Sequence, residues 1–248
     1  MRITNEIIEK INIYLDEGLT NSEIAEKLNL SKTTVRKYTT LIGRETNSIK
    51  HKSIKEVNLT KEQFEIIYGC MLGDMSISKT EKLARIAISQ GGKHEEYFDH
   101  LTNIFSNYLG KITKTPRYDK RTDKYYNKFS VRFLANELYL KLYKIFYPNG
   151  KKTITKEWLS KLTPRSIAYW FMDDGAKWGV FATNCFTKEE VILIKDWFKE
   201  QYDIDTRIYT IPNKEQYELI VEHSSLQKFE NLIREYLISS MRYKLRYL

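Results

Sequence analysis

The chain has 248 residues, of which 41 are lysine or arginine and 32 are aspartate or glutamate, so its formal net charge is +9 at pH 7. This length allows one large core or two to three modest ones. A basic, tyrosine-rich chain is typical of proteins with a polyanionic partner, although a merely basic enzyme can share that composition. The two cysteines, Cys70 and Cys185, are far apart, which excludes a disulfide framework and favours a reducing compartment.

The beginning of the chain is not a signal peptide, and no apolar run is long enough to cross a membrane. We therefore expect an intracellular, soluble protein without a membrane partner. It would be cytoplasmic if its gene is bacterial or phage-borne and organellar otherwise.

Three short helices are predicted at the beginning of the chain. Apolar residues recur at helical spacing up to Leu15, and Gly18 is expected to end the first helix. Thr20 and Glu23 form a capping box for the second helix, and Ser31 is placed to cap the third.

The run LTNSEIAEKLNLSKTTVRKY, residues 19–38, resembles the helix-turn-helix family. The resemblance implies that residues 1–44 form a DNA-binding domain whose third helix enters a major groove. Short polar and long cationic side chains suit base edges and phosphates there, and the candidates are Lys32, Thr33, Thr34, Arg36 and Lys37. A helical protein–protein module with a solvated basic face is the alternative.

Residues 45–58 contain several lysines and no apolar period, which predicts a basic linker. Such a segment can lie along phosphates or act as a solvated tether, and the sequence leaves both possibilities open.

Two stretches one hundred positions apart are built alike. Thr60 with Gln63 is a capping box, and Thr163-Pro164 places proline in the first helical turn. Each stretch then runs about three turns with apolar side chains on nearly every side, which predicts a buried helix. Each ends on an acid, Asp74 or Asp174. Because the negative end of a helix repels a carboxylate, we expect a cation near each acid.

The glycines at positions 69 and 73 lie four residues apart on the first of these helices, so another backbone can approach it closely. Ser166 and Ala168 offer a similar but less open surface on the second. Either stretch alone is ordinarily a core helix with a solvated terminal aspartate. The duplication favours two helices packed side by side with both acids at one place.

The remaining elements predict an α+β fold of two pseudo-symmetric αββαββα halves, residues 59–150 and 151–248. After the first acid we expect a strand over 83–89, a helix over 93–109, strands over 112–118 and 125–133, and a helix over 135–146. After the second acid we expect a strand over 180–186, a helix over 187–202, strands over 206–211 and 216–222, and a helix over 225–237.

Alternation within the strand over 125–133 places Lys128, Ser130 and Arg132 on one side and apolar residues on the other. The polar side suits a concave sheet laid on DNA, although a polar outer face is usual for any antiparallel sheet. The other candidate DNA contacts are Arg85, Ser89, Arg117 and Lys120 in the first half and Arg207 and Tyr209 in the second. The four tryptophans are expected to pack in the core.

The segments Ile67–Met75 (IYGCMLGDM) and Ile167–Gly175 (IAYWFMDDG) resemble the two motifs of a LAGLIDADG homing endonuclease. The resemblance covers about residues 59–248, and near the second motif it is strongest to the monomeric mitochondrial omega-intron enzyme. Met75 departs from the glycine that ends the motif. The resemblance implies a monomer whose halves form a saddle on DNA, with Asp74 and Asp174 as catalytic, metal-binding acids.

Hydrolysis of a phosphodiester requires an activated water, a stabilised leaving oxygen and neutralised charge, which two divalent ions held by carboxylates can supply. Asp74 and Asp174 offer the sparse ligand set that Mg²⁺ accepts, and Mn²⁺ could take its place. The resemblance also places a lysine in each active site, at Lys152 and Lys244, with Lys151 as an open substitute for Lys152.

The family resemblance implies a staggered double-strand cut, leaving 3′ overhangs, in double-stranded DNA with a long, nearly non-palindromic site. Two alternatives remain open. One is a regulator that binds DNA without cutting it, and the other is a maturase that binds group I intron RNA.

Overall fold

The computed structural model describes residues 4–17, 19–39, 56–80, 82–120 and 122–247. The described residues form two compact units, one within 4–39 and the other within 56–247. The predicted helix end at Gly18 and the predicted linker as far as residue 55 lie outside the described residues.

The first unit consists of three helices, α1 (Asn5–Asp16), α2 (Asn21–Lys27) and α3 (residues 32–39). The capping box predicted for α2 is present, with the Thr20 hydroxyl accepting the Glu23 N–H. Asn29, in the turn before α3, has φ of 49°, a left-handed conformation that asparagine adopts more readily than most residues. The prediction of a small helical unit is therefore confirmed.

The second unit repeats one order of elements twice, and the predicted α+β class is confirmed. The first half contains α4 (Lys61–Cys70), β1 (Ser76–Lys79), β2 (Ala84–Gly91), α5 (Glu95–Ile104), β3 (Thr113–Asp119), β4 (Lys124–Arg132) and α6 (Glu137–Phe146). An unpredicted short helix, α7 (Lys156–Leu159), follows. The second half contains α8 (Pro164–Asp174), β5 (Gly175–Ala176), β6 (Val180–Phe181), α9 (Lys188–Tyr202), β7 (Thr206–Thr210), β8 (Tyr217–Val221) and α10 (His223–Ile233).

Each half carries a four-stranded antiparallel sheet, in the orders β1-β2-β4-β3 and β5-β6-β8-β7. One face of each sheet packs on helices. Ile88 and Val131 are opposite each other on the buried face of the first sheet, and Phe181 and Leu219 on that of the second. The buried residues of both halves form one continuous hydrophobic cluster, so the halves share a single interior.

The strand predicted over 180–186 is wrong in length, because only Val180 and Phe181 pair with β8. Beyond them the Thr183 hydroxyl donates to the Tyr217 carbonyl at 2.7 Å, so a side chain replaces the next ladder bond. The Phe186 N–H then bonds back to the Thr183 carbonyl in a turn. An apolar run alone does not reveal such a turn.

The expectation that every tryptophan packs in the core is wrong for one of them. Trp158, Trp170 and Trp197 are buried, but Trp178 lies in the β5–β6 turn with 52% of its surface exposed. Its φ is 73°, and the Arg246 guanidinium lies over its ring at 3.9 Å. Stacking on a cation replaces burial at this position.

The helices α4 and α8 run parallel and pack backbone against backbone. A Cβ added at Gly69 would lie less than 3.0 Å from the backbone of Ser166, and one added at Gly73 would lie less than 3.0 Å from the Asp173 side chain. Real side chains do not pack that closely, so both positions require glycine. At the other end of the pair, Arg165 donates to Glu65 at 2.8 Å. We call this contact between α4 and α8 the seam.

No helix among the described residues is long and apolar enough to cross a membrane.

The seam predicts a strong penalty for any side chain at Gly69. We expect Gly69→Ala to lower the free energy of unfolding by about 3 kcal/mol, because the methyl group forces apart two backbones that share a core. Urea denaturation followed by circular dichroism measures the change. Gly91→Ala is the matched control, since a Cβ there meets nothing within 4 Å. Equal stabilities for the two variants would contradict the packing described.

Candidate active site

The two predicted acids are carried differently by their helices. The helix α8 continues through Asp174, whereas α4 ends at Cys70 and residues 71–74 form a turn. The Met75 N–H closes this turn on the Cys70 carbonyl at 2.9 Å, five residues back. The expectation that each helix ends on its acid is therefore right for Asp174 and wrong for Asp74, which follows the helix on a turn.

Side chains from both halves meet where the seam ends. The Asp74 N–H donates to Oδ2 of Asp173 at 3.2 Å. The Gln90 amide, at the end of β2, donates to Oδ2 of Asp74 at 2.9 Å and to Oδ1 of Asp173 at 3.3 Å. Asp174, next along α8, is close enough for the Asp74 charge to act on it. The structure thus brings both predicted acids into one cluster.

Sequence reasoning missed Asp173 and Gln90. Asp173 stands beside the motif acid, and nothing in the letters shows on which side of the helix it falls. Gln90 left a signal that was overlooked, because it continues the inward alternation of Ile86 and Ile88 along β2. An amide at a core-facing position of a strand indicates a buried polar partner.

Burial, reinforced by repulsion between carboxylates, raises the pKa of Asp173 and Asp174. Burial, and then the charge of Asp74, raise the pKa of Asp174 to about 7, although Lys152 and Lys244 oppose the shift. Burial and the same neighbour raise the pKa of Asp173 well above its usual range. Asp173 and Asp174 therefore hold their protons to a higher pH than an ordinary aspartate does.

In space, the Lys152 ammonium lies beside the last residues of the first motif. Its Nζ donates to the carbonyl oxygens of Gly73 at 3.3 Å and Met75 at 3.1 Å, on either side of Asp74. Burial lowers the pKa of this amine. Lys151 is exposed, so of the two lysines that the sequence left open, Lys152 is the one that reaches the site.

Lys244 takes the equivalent place in the second half. Its buried Nζ donates to three carbonyl oxygens in the last turn of α8, those of Phe171 at 3.2 Å, Met172 at 2.5 Å and Asp173 at 3.3 Å. Burial lowers the pKa of this amine as well. Each acid therefore has an ammonium on neighbouring backbone carbonyls. At Asp174 these carbonyls are the end of α8, where the helix dipole predicted a cation, whereas at Asp74 they belong to the turn that follows α4.

The donor set at the cluster fits a sparse divalent-ion site. Within the described ranges, no group of three or more His, Cys, Asp or Glu side chains is arranged to hold a metal by itself. Mg²⁺ and Mn²⁺ accept a few carboxylate oxygens and complete their shells with phosphate oxygens and water. The raised pKa values of Asp173 and Asp174 indicate that added positive charge would be stabilising here.

A polar face of the first sheet continues from the cluster. Ser89 pairs with Ser130, and Arg117 pairs with Tyr126, so these residues share a face with Lys128. A cleft of about 1000 Å³ opens over part of this face. The predicted residues that line it are Asp74, Ser89, Arg117, Lys120 and Lys128, joined by Gln90, Lys93 and His94.

Three predicted contacts in the first half lie outside the cleft. Arg85 and Arg132 belong to the same face, because the register places Arg132 opposite Ala87 and Arg85 opposite Ser78. The Ser130 hydroxyl forms a hydrogen bond with the Thr113 hydroxyl, with 2.8 Å between the two oxygens.

The second sheet presents a less basic face. Arg207 and Tyr209 are exposed, but their strand partners are Ile220 and Glu218. Arg207 also lies 3.8 Å from a carboxylate oxygen of Glu222. This agrees with the sequence, in which fewer candidate DNA contacts were found in the second half than in the first.

On the helix-turn-helix unit, the predicted contact residues Lys32, Thr33, Arg36 and Lys37 are exposed on α3. Thr34 is only partly exposed, since its hydroxyl lies 2.7 Å from that of Ser31 and its N–H bonds the same oxygen. Thr34 therefore contributes to the beginning of α3 and presents little free surface.

Two αββαββα halves joined through acid-bearing helices, beside a basic sheet face, define a class of enzymes that cleave nucleic acids. The chain belongs to the LAGLIDADG DNA endonuclease family, whose model matches residues 64–229. A second model, of winged helix-turn-helix DNA-binding domains, matches residues 5–40. In that region the described residues 4–17 and 19–39 hold three helices and no strand. The endonuclease predicted from the sequence is confirmed at the level of the family.

Individual proteins show the same relationship. The chain is 30% identical to the cytochrome b mRNA maturase bI2 of Debaryomyces hansenii, over 75% of this chain and 74% of that protein. It is 29% identical to the probable intron-encoded endonuclease 1 of Wickerhamomyces canadensis, over 83% and 94%. The solved structure of the homing endonuclease I-WcaI bound to its DNA recognition sequence superposes with a TM-score of 0.69, at 27% identity, over 77% of this chain and 88% of that one.

The pKa of Asp174 predicts how stability depends on pH. The folded-state pKa is about 7 against an ordinary 3.8, so the stability that this proton contributes is complete below about 4 and is lost as the pH rises to 7. In metal-free buffer, Asp174→Asn should therefore gain stability relative to the wild type, by more than about 1 kcal/mol, as the pH rises from about 5 to about 8. Urea titrations across this range measure the gain. The exposed Asp99→Asn serves as control, and a pH-independent difference for Asp174→Asn would contradict the shift.

Proposed function

We propose that the protein, acting as a monomer, makes a staggered double-strand cut in a long, nearly non-palindromic DNA site. The observation that carries the proposal is the convergence of Asp74 and Asp174, one from each half, at the end of the seam. Each half contributes one acid, so a single chain has one acid available for each of the two DNA strands. The related homing endonuclease I-WcaI has been solved bound to its DNA recognition sequence, which supports DNA as the substrate.

We assign Asp74 and Asp174 as the ligands of divalent ions, Mg²⁺ or Mn²⁺. When bound, such ions supply neutralising charge on the scissile phosphates and a more acidic water. The two carboxylates contribute negative oxygens at the points where the helix backbones bring them together. Burial and the Asp74 charge raise the pKa of Asp174, and cations that share the site would offset both effects.

Lys152 and Lys244 are proposed to act on the phosphates from the two sides of the cluster. Each ammonium is held by backbone carbonyls next to one acid, so its position is fixed before DNA arrives. A preorganised positive charge stabilises the negative charge that grows on a phosphate during attack. The lowered pKa values also bring both amines closer to neutral pH, where a lysine can pass a proton to or from water.

The polar face of the first sheet is proposed to lie along the DNA. Arg117, Lys120 and Lys128 line the cleft that contains Asp74, so phosphate contacts there lead directly to the site of cleavage. The second sheet offers fewer cations, and we propose that Arg207 and Tyr209 make its contacts. Because the chain carries a net charge of +9, its affinity for DNA should fall as the salt concentration rises.

The helix-turn-helix unit is proposed to add DNA contacts outside those of the sheets. The exposed Lys32, Arg36 and Lys37 on α3 are the side chains that would reach a major groove. The match of residues 5–40 to a DNA-binding family supports this role.

The acids are tested by single substitutions. Asp74→Asn and Asp174→Asn should each reduce double-strand cleavage by at least about a thousandfold, because each removes the charge that holds a cation. Binding should survive within about threefold, since neither residue supplies positive charge. Plasmids carrying the intron-free insertion site of the gene, incubated with and without Mg²⁺, give the rates, and gel shifts give the affinities. Cleavage of both strands at the wild-type rate by either variant, with Asp99→Asn as control, would contradict the assignment.

A second function is favoured by one comparison. The related protein of Debaryomyces hansenii is a cytochrome b mRNA maturase, so the same scaffold could bind a group I intron RNA. Splicing of the host intron would then require the protein but not its acids. A splicing assay with Asp74→Asn separates the two functions, because an RNA-folding role survives this change while DNA cleavage does not.

A further inference from the structure

We propose that Asp173 is a positioning residue that crosses the seam and fixes the acid of the opposite half, so that the two active sites are not equivalent. The inference rests on the proposed function and deepens it. The residue at the same motif position in the first half is Gly73, so the relationship is one-sided.

Only one side chain fits at the centre of the seam. A Cβ at Gly73 would lie less than 3.0 Å from both Cβ and Oδ2 of Asp173. The Asp173 side chain therefore occupies the space that its counterpart would need. Gly73 has no side chain with which to make the reciprocal contact to the second acid.

Asp74 requires an anchor that Asp174 does not. Asp74 lies on a turn, where the N–H groups of Gly73 and Met75 bond to the Cys70 carbonyl. Its own N–H is instead bonded by the Asp173 carboxylate at 3.2 Å. Asp174 is held by the last turn of α8, and its carbonyl accepts the Ala182 N–H at 3.0 Å. The second acid is thus fixed by the backbone of its own half, and the first by a side chain from the other half.

The Asp74 carboxylate is fixed through the same residue. Gln90 bonds to Oδ2 of Asp74, and its amide is in turn oriented by Oδ1 of Asp173. One carboxylate therefore holds the backbone of Asp74 directly and its side chain through Gln90.

The second half has no equivalent of Gln90 among its described contacts. Two polar residues follow β6. The buried Thr183 hydroxyl donates to the Tyr217 carbonyl at 2.7 Å, and the buried Oδ1 of Asn184 has no hydrogen-bond partner among the described residues, so neither side chain holds Asp174 as Gln90 holds Asp74. Loss of Asp173 should therefore loosen the first acid while leaving the second in place. Because misplacement of a catalytic group by about 1 Å can cost a hundredfold in rate, the effect should fall on one DNA strand.

Strand-resolved cleavage tests the proposal. Two duplexes carrying the target site, each already nicked in one strand, are cut by saturating protein with Mg²⁺ under single-turnover conditions. We expect Asp173→Ala to slow cleavage of one strand by at least about tenfold and of the other by less than about threefold. Asp173→Asn keeps one acceptor oxygen and should slow the same strand by an intermediate amount. Gln90→Leu should also slow that strand, and the double variant Asp173→Ala/Gln90→Leu should be little slower than the more affected single variant.

Equal slowing of both strands, or of neither, would overturn the proposal. If Asp173→Ala does not fold, Asp173→Asn and Gln90→Leu carry the test by the same criterion. Hydrogen exchange of the Asp74 amide in the DNA-free protein measures its bond to the Asp173 carboxylate without a cleavage assay. The proposal is supported if the Asp74 amide is protected from exchange in the wild type, unprotected in Asp173→Ala and partly protected in Asp173→Asn. Equal exchange rates in the three proteins would contradict the proposal. Failure of the wild type to cut either duplex would instead contradict the proposed function.

Discussion

The approach of two backbones at Gly69 and Ser166 is the constraint on which the rest of the protein depends. Because no side chain intervenes, α4 and α8 lie close enough for groups at their ends to meet. The same contact joins the two halves into one hydrophobic interior. Rigid core packing therefore brings two segments from distant parts of the chain together, with Asp174 carried by α8 itself and Asp74 by the turn that follows α4.

The seam also creates an electrostatic conflict that the chain resolves only in part. Parallel helices bring two carbonyl ends together, and Asp173 and Asp174 add negative charge there. Lys152 and Lys244 cover the backbone carbonyls, yet burial and mutual repulsion still raise the pKa of both carboxyls. A site with this residual need for positive charge is suited to divalent cations that arrive with a polyanion.

The repeated order of elements could be predicted because each element has a local cause. Capping boxes begin α2, α4 and α9, and alternation identifies β2 and β4. The sequence could not reveal the early end of α4 at Cys70, since a turn closed by backbone bonds has no required side chain. Asp173 and Gln90 were missed for a related reason. Their importance comes from partners 99 and 83 residues away, and spacing along one element carries no information about such contacts.

Crystallography of the DNA complex with Mn²⁺ would show whether Asp74 and Asp174 are arranged around shared cations. Anomalous scattering locates the metal without reference to the protein. We expect manganese within about 2.5 Å of carboxylate oxygens of both Asp74 and Asp174, next to the scissile phosphates. Manganese bound elsewhere, or Asp74 and Asp174 carboxylates that share no metal-bearing site, would contradict it.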